Sequence, residues 1–331
     1  MNSYKTISDC LDIFVRQIAK ASTLVPRTGL MKGKMGIAIL LHNYARYRND
    51  SEINDCANAL IDMVIQEMNI EYLEDMDDGL CGVAWGFDCL IKENFIQTDE
   101  NDLEEIDTFL FQEENRTLYL SNLAGKSDMG LYILNRLNSC NPIAKNKWRQ
   151  RFENCINHFH DILMQRYTSY EFPVFPCRVL IRFFHTCQIF YEQEQYRFEI
   201  DTLYEELPET VKISLQEEPC FSDRYILCSM LAGIPVFEKC LPVDNTLQEI
   251  TPADAGNFYL TRLILSKHIF IPEIVNETIL SVAADQQRID ELLNQMNPNN
   301  AGLGNPIGGL AWAMLQRCME KDKFSPPVLP V

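Results

Sequence analysis

Gly29-Leu30-Met31-Lys32-Gly33-Lys34-Met35-Gly36-Ile37 is the stretch on which the fold turns. A glycine-punctuated turn opens here straight into an apolar run, Ile37-Ala38-Ile39-Leu40-Leu41, that continues to Tyr44. The pattern returns in Gly79-Leu80-Cys81-Gly82-Val83-Ala84-Trp85-Gly86-Phe87 and in Gly302-Leu303-Gly304-Asn305-Pro306-Ile307-Gly308-Gly309-Leu310. Weaker copies stand at Ala124–Leu131 and Leu231–Pro235. Glycine costs about 1 kcal/mol against alanine inside a helix. Its repetition at helix starts therefore points to backbones that meet closely, or to turns only glycine adopts cheaply.

Helical periodicity runs outward from these turns, and strand signals are scarce. Segments apolar on nearly every side recur near residues 37, 83, 130, 180, 228, 260 and 309, roughly 30 to 50 residues apart. Striped segments alternate with them. Ile53 to Met68 keeps Ile53, Ala57, Leu60, Ile61, Val64 and Met68 on one face, with Glu52, Asp55, Asn58, Asp62 and Gln66 elsewhere. Trp148 to Tyr167 and Ile271 to Leu293 read the same way, Ile200 to Leu215 (interrupted by Pro208) reads as polar, and Tyr225 to Phe237 as apolar. Alternating buried and half-buried helices predict an all-α fold, an α/α toroid of about seven helical hairpins. Residues 1–331 form a single domain in this reading, since no Pro-, Gly- or Ser-rich linker divides the chain. An open α-solenoid is the alternative. Closure is favoured because the first and last glycine turns resemble each other more than the middle copies, whereas terminal repeats of a solenoid are atypical.

Composition bounds the function. An apolar fraction of 47% excludes a disordered chain, and a formal charge of −18 argues against a nucleic-acid partner. That acidity solvates the surface and would suit a basic peptide. The N-terminus carries no signal-peptide pattern and no apolar run is long enough for a membrane span, so a cytoplasmic protein without a membrane partner is expected. Twelve cysteines without a C-x-x-C read as buried thiols of a reducing compartment.

At the glycine turns the chain resembles the lanthionine synthetase C-like (LanC-like) family, through Gly29–Ala38, Gly79–Phe87 and Gly302–Ala311. The resemblance implies a double-layered α/α barrel of seven hairpins around a funnel, and a part in lanthipeptide-type peptide modification. Catalytic members close thioether rings with a zinc held by a W-C-x-G cysteine and a C-H-G pair. This chain has neither motif. Cys177, in Phe175-Pro176-Cys177-Arg178, takes roughly the place of the first ligand, and Cys220 or Cys228 that of the second, with Phe221 where histidine would follow Cys220. They read as metal-site remnants; no cofactor is expected, and zinc is kept as the alternative. The implied role is non-catalytic or atypical: binding a peptide substrate or a peptide-modifying enzyme.

Other residues carry candidate chemistry. Arg178 and Arg182, one helical turn apart on an apolar helix, call for an ion-pair partner or form an anion clamp. Together with Asp223 they are the candidate peptide-binding residues. Asp78, Asp128 and Asp254, each set before a buried helix, are the catalytic candidates if the chain is an enzyme. The ordinary role of Asp at a helix start is the N-cap. The enzymatic alternatives are a cyclase with an atypical site or a glycoside-active toroid with paired Asp residues. His42, His158, His160 and His268 form no i, i+4 metal pair and read as structural.

Overall fold

Caps and glycines set the helix starts. Thr6 accepts the Asp9 N–H at 3.2 Å and opens α1 (Ile7–Ser22), which buries Leu11, Phe14, Val15 and Ile18. Asp50 accepts the Ile53 N–H at 3.1 Å and opens α3 (Ser51–Glu67), whose buried stripe is Ile53, Ala57, Leu60, Ile61 and Val64. Between them, α2 (Lys34–Arg48) starts at Gly33 and is buried from Lys34 to Ala45, ending at Asn49 with φ 54°. Helix α4 (Leu80–Lys92) starts at Gly79 and is buried from Leu80 to Leu90. Helix α5 (Asp102–Leu110) follows.

The computed structural model describes residues 6–68, 75–97, 102–111, 123–139, 145–151, 153–154, 175–191, 197–242, 250–265, 271–298 and 301–322. Among them the fold is all-α, with α6 (Leu123–Ser139), α7 (Cys177–Tyr191), α8 (Arg197–Glu206), α9 (Pro208–Glu217), α10 (Phe221–Leu231), α11 (Pro252–Ile264), α12 (Glu273–Ala284), α13 (Gln286–Gln295) and α14 (Pro306–Lys321). Backbone over 145–151 is also helical. No helix of the described residues is long and apolar enough to cross a membrane. Residues of the expected helix after 154, with His158 and His160, and also His268 and the tail 325–331, lie outside the described residues.

The chain divides into two compact units, one of residues 1–111 and 249–331, the other of residues 112–248. In the first, the most deeply buried helices form a row in which α11 packs on α14, α14 on α2, and α2 on α4. Helices α12, α1 and α3 lie beside that row, covering α11, α14 and α2 respectively. Glycine makes the row possible. A Cβ on Gly256 of α11 would stand 2.7 Å from the carbonyl carbon of Gly309 in α14, so only bare backbones can approach there. The first and last glycine turns meet as well: the Gly304 N–H donates to the Met31 carbonyl, and a Cβ on Gly302 would lie 2.8 Å from Lys32 Cα. In the second unit α6, α7 and α10 pack side by side, with α8 and α9 against α7.

Three boundaries differ from the sequence reading. The apolar stretch from Tyr225 to Phe237 is helical only to Leu231, because Gly233 turns left-handed at φ +85° and Pro235 follows. The segment from Ile271 to Leu293 breaks at Asp285, which leaves helical geometry to accept the Arg288 N–H at 3.1 Å and caps α13. Asp128 does not precede its helix: α6 begins at Leu123 and carries Asp128 in its second turn.

Candidate functional site

The second unit gathers most of the singled-out residues. Helix α7 follows Pro176, and its buried side (Leu180, Ile181, Phe183, Phe184) is clamped by aromatic contacts with Tyr204 and Phe237. That packing fixes how Cys177, Arg178 and Arg182 are presented. Arg182 Nη1 lies 2.7 Å from Asp128 Oδ1 and 2.9 Å from Oδ2, both side chains buried, which ties α7 to α6. Arg178 is exposed, and its charge acts on Asp223 near the start of α10.

Glu218 organises this cluster. Its Oε2 accepts the Cys177 N–H at 2.8 Å and its Oε1 the Cys220 N–H at 3.0 Å. One carboxylate thus answers amides at the starts of two helices, where the helix dipoles favour negative charge. Asp223 is buried beside it. Burial and then the Glu218 charge push its carboxyl up to about 6, against the pull of Arg178, a hydrogen bond from Cys220, and Arg182.

The two sulfurs are engaged by protein oxygens. Cys177 Sγ faces the Ser214 carbonyl at 3.7 Å, and burial, followed by Glu218 and Asp223, drives its thiol well above the usual range. Cys220 Sγ lies 3.1 Å from Ser222 Oγ. Zinc takes thiolates and about four donors. A thiol held neutral against a carbonyl is a poor ligand, and the described residues contain no group of three or more His, Cys, Asp or Glu able to hold a metal.

The remaining candidates sit in the first unit and have structural partners. Asp254 takes part in a capping box, accepting the Thr251 N–H at 3.1 Å and the Thr251 hydroxyl at 2.6 Å. Asp78 is not a cap: Gly79 holds that position, and Asp78 pairs with Arg27 and, at 3.8 Å, with Lys32 Nζ, between the first and second glycine turns. Burial raises its carboxyl, offset by Lys32 and Arg27. His42 is buried, 3.2 Å from Asn54 Oδ1 and stacked on Phe95; desolvation lowers its pKa, so its role is packing.

The arrangement brings Cys177, Arg178, Arg182, Asp128, Cys220 and Asp223 into one hydrogen-bonded and charged neighbourhood of the second unit. Sequence reasoning missed Glu218 and Ser214, whose roles arise from the close approach of α7 to the end of α9. Nothing in their local pattern marks them. No family model matches the chain, and neither a curated protein nor a solved structure does.

Proposed function

We propose that this chain is a LanC-like α/α toroid of about seven helical hairpins that takes part in lanthipeptide-type peptide maturation. In this reading it binds a peptide or a peptide-modifying partner in the cytoplasm, and does so without the family's zinc chemistry. One observation carries the reading. The first and last glycine turns lie against each other, joined by the Gly304–Met31 hydrogen bond. Chain ends that meet through equivalent turns are what a closed ring of hairpins requires, whereas an open solenoid separates its ends. The contacts of the Cys177 and Cys220 sulfurs with Ser214 and Ser222 support a role without zinc chemistry. The exposed guanidinium of Arg178 beside buried Asp223 offers a donor and an acceptor to a peptide backbone, and the acidic chain favours a basic peptide.

The test uses the full chain and two synthetic basic peptides of one sequence, one bearing Cys and Ser, the other Cys and dehydroalanine. Fluorescence anisotropy reads binding, mass spectrometry and thiol titration read cyclisation, and elemental analysis reads zinc. Saturable binding without thiol consumption or stoichiometric zinc supports the reading, as does weakening by about tenfold in Arg178→Glu. Zinc-dependent thiol loss that Cys177→Ala abolishes overturns it. So does failure to bind either peptide.

A further inference from the structure

In a chain of net charge −18, one cavity of the second unit has cations as its only charged walls among the described residues. It encloses about 410 Å³ between α9, the start of α10 and the turns over 232–242. Lys212, Arg224 and Lys239 line it, and no carboxylate does among the described lining residues. Lys212 is partly answered, its Nζ 3.0 Å from Glu209 Oε1 at the exposed rim. Arg224 and Lys239 have no carboxylate partner among the described residues. Arg224 sits 6.0 Å from the Phe221 ring centroid, and Leu215 and Pro242 complete an apolar wall. The two thiols in the lining do not reduce the positive field. Burial pushes Cys228 up to about 11 and also raises Cys240, so both are neutral near pH 7.

From this geometry we infer that the cavity binds a small organic phosphate: the phosphate between Arg224 and Lys239, its organic body against Phe221 and Leu215. Two cations without a carboxylate partner among the described residues match a dianion, whereas a carboxylate would answer only one of them. A guanidinium fork suits phosphate oxygens in bidentate contact. The volume falls within the roughly 300–1,000 Å³ of ligand pockets and far exceeds what bare phosphate fills. Three cations in an acidic chain are too few for a polynucleotide, which needs an extended basic track. The inference is independent of the peptide reading, because Arg178, Asp223 and the Cys177 turn take no part in it.

Calorimetry at constant ionic strength tests it with four probes: phenyl phosphate, inorganic phosphate, benzoate and benzyl alcohol. Phenyl phosphate is expected to bind saturably and about tenfold or more tighter than each of the others. Arg224→Gln and Lys239→Gln should each weaken it by about tenfold, and Lys212→Gln by less than about threefold. Lys239 lies on an exposed turn, so its variant remains informative if the Arg224 variant folds poorly. The inference falls if phenyl phosphate shows no saturable binding, if bare phosphate binds as tightly, or if Lys239→Gln leaves the affinity unchanged.

Discussion

Arg182 of α7 and Asp128 of α6 form a buried ion pair, with the guanidinium Nη1 within 2.9 Å of both carboxylate oxygens. Neither charge is well solvated. Removing one partner of such a pair costs about 3–5 kcal/mol, because a buried charge loses its closest counter-charge. Asp128→Ala and Arg182→Ala should each lower stability by that amount in urea unfolding. The double variant Asp128→Leu/Arg182→Met should recover most of the loss, since apolar replacement of both partners is often neutral. If the double variant is as unstable as the sum of the two, the pair is not the source of the effect.

Gly302 and Gly233 separate two reasons for glycine. At Gly302 an added methyl would meet the Lys32 backbone at 2.8 Å, and backbone cannot swing aside. At Gly233 the space is open but φ is +85°. Gly302→Ala should therefore cost about 1–3 kcal/mol through overpacking. Gly233→Ala should cost about 1–2 kcal/mol through backbone strain, and Gly233→Asn less, since Asn tolerates positive φ. An asparagine at 302 should be worse than alanine. Equal ranking of Ala and Asn at the two sites in thermal melts would show that the two glycines serve one purpose.

Thiol reactivity should follow burial. Cys56 is exposed on α3, whereas Cys10, Cys81, Cys89 and Cys177 are buried and Cys177 is held well above the usual thiol range. The thiolate is the reactive form. Timed iodoacetamide labelling with peptide mapping should find Cys56 modified first among the described cysteines, and Cys177 only after unfolding. Early native-state labelling of Cys177 would mean that its sulfur is not committed to Ser214.

Helix type was legible because apolar residues around a whole helix, as in α2 and α4, admit no other place than between neighbours. The glycine turns were legible for a related reason: close approach is one of the few things that repays so many glycines, and Gly256 against Gly309 is such an approach. Local signals misplaced Asp128, since Gly125 reads as a turn but packing carries α6 straight through it. The break at Asp285 was hidden because α12 and α13 continue one apolar rhythm on both sides of it. Glu218, Ser214 and the basic cavity were not legible at all. Each is assembled from separate elements, such as Lys212 on α9, Arg224 on α10 and Lys239 in the turns after it.

Asp223 should give the stability a pH slope of a particular sign. Its folded carboxyl is raised to about 6, above the roughly 4 of an unfolded chain, so the folded state holds the proton more tightly. Below about pH 4 the group is protonated in both states and burial costs nothing. As pH rises through about 4 to 6, the unfolded chain ionises freely while the folded one resists, and stability falls. A two-unit difference corresponds to at most about 3 kcal/mol, fully felt above pH 6. Glu218 adds to the rise, while Arg178, Cys220 and Arg182 oppose it, and the value of about 6 is their net result. Asp223→Asn keeps the shape and removes the titration. Urea unfolding of both proteins between pH 4 and 7 should find them nearly equally stable at the acid end, with the variant gaining up to about pH 6 and levelling off above it. A difference that stays flat across this range, or that favours the native chain above pH 6, would mean that Arg178 neutralises Asp223 more fully than burial raises it.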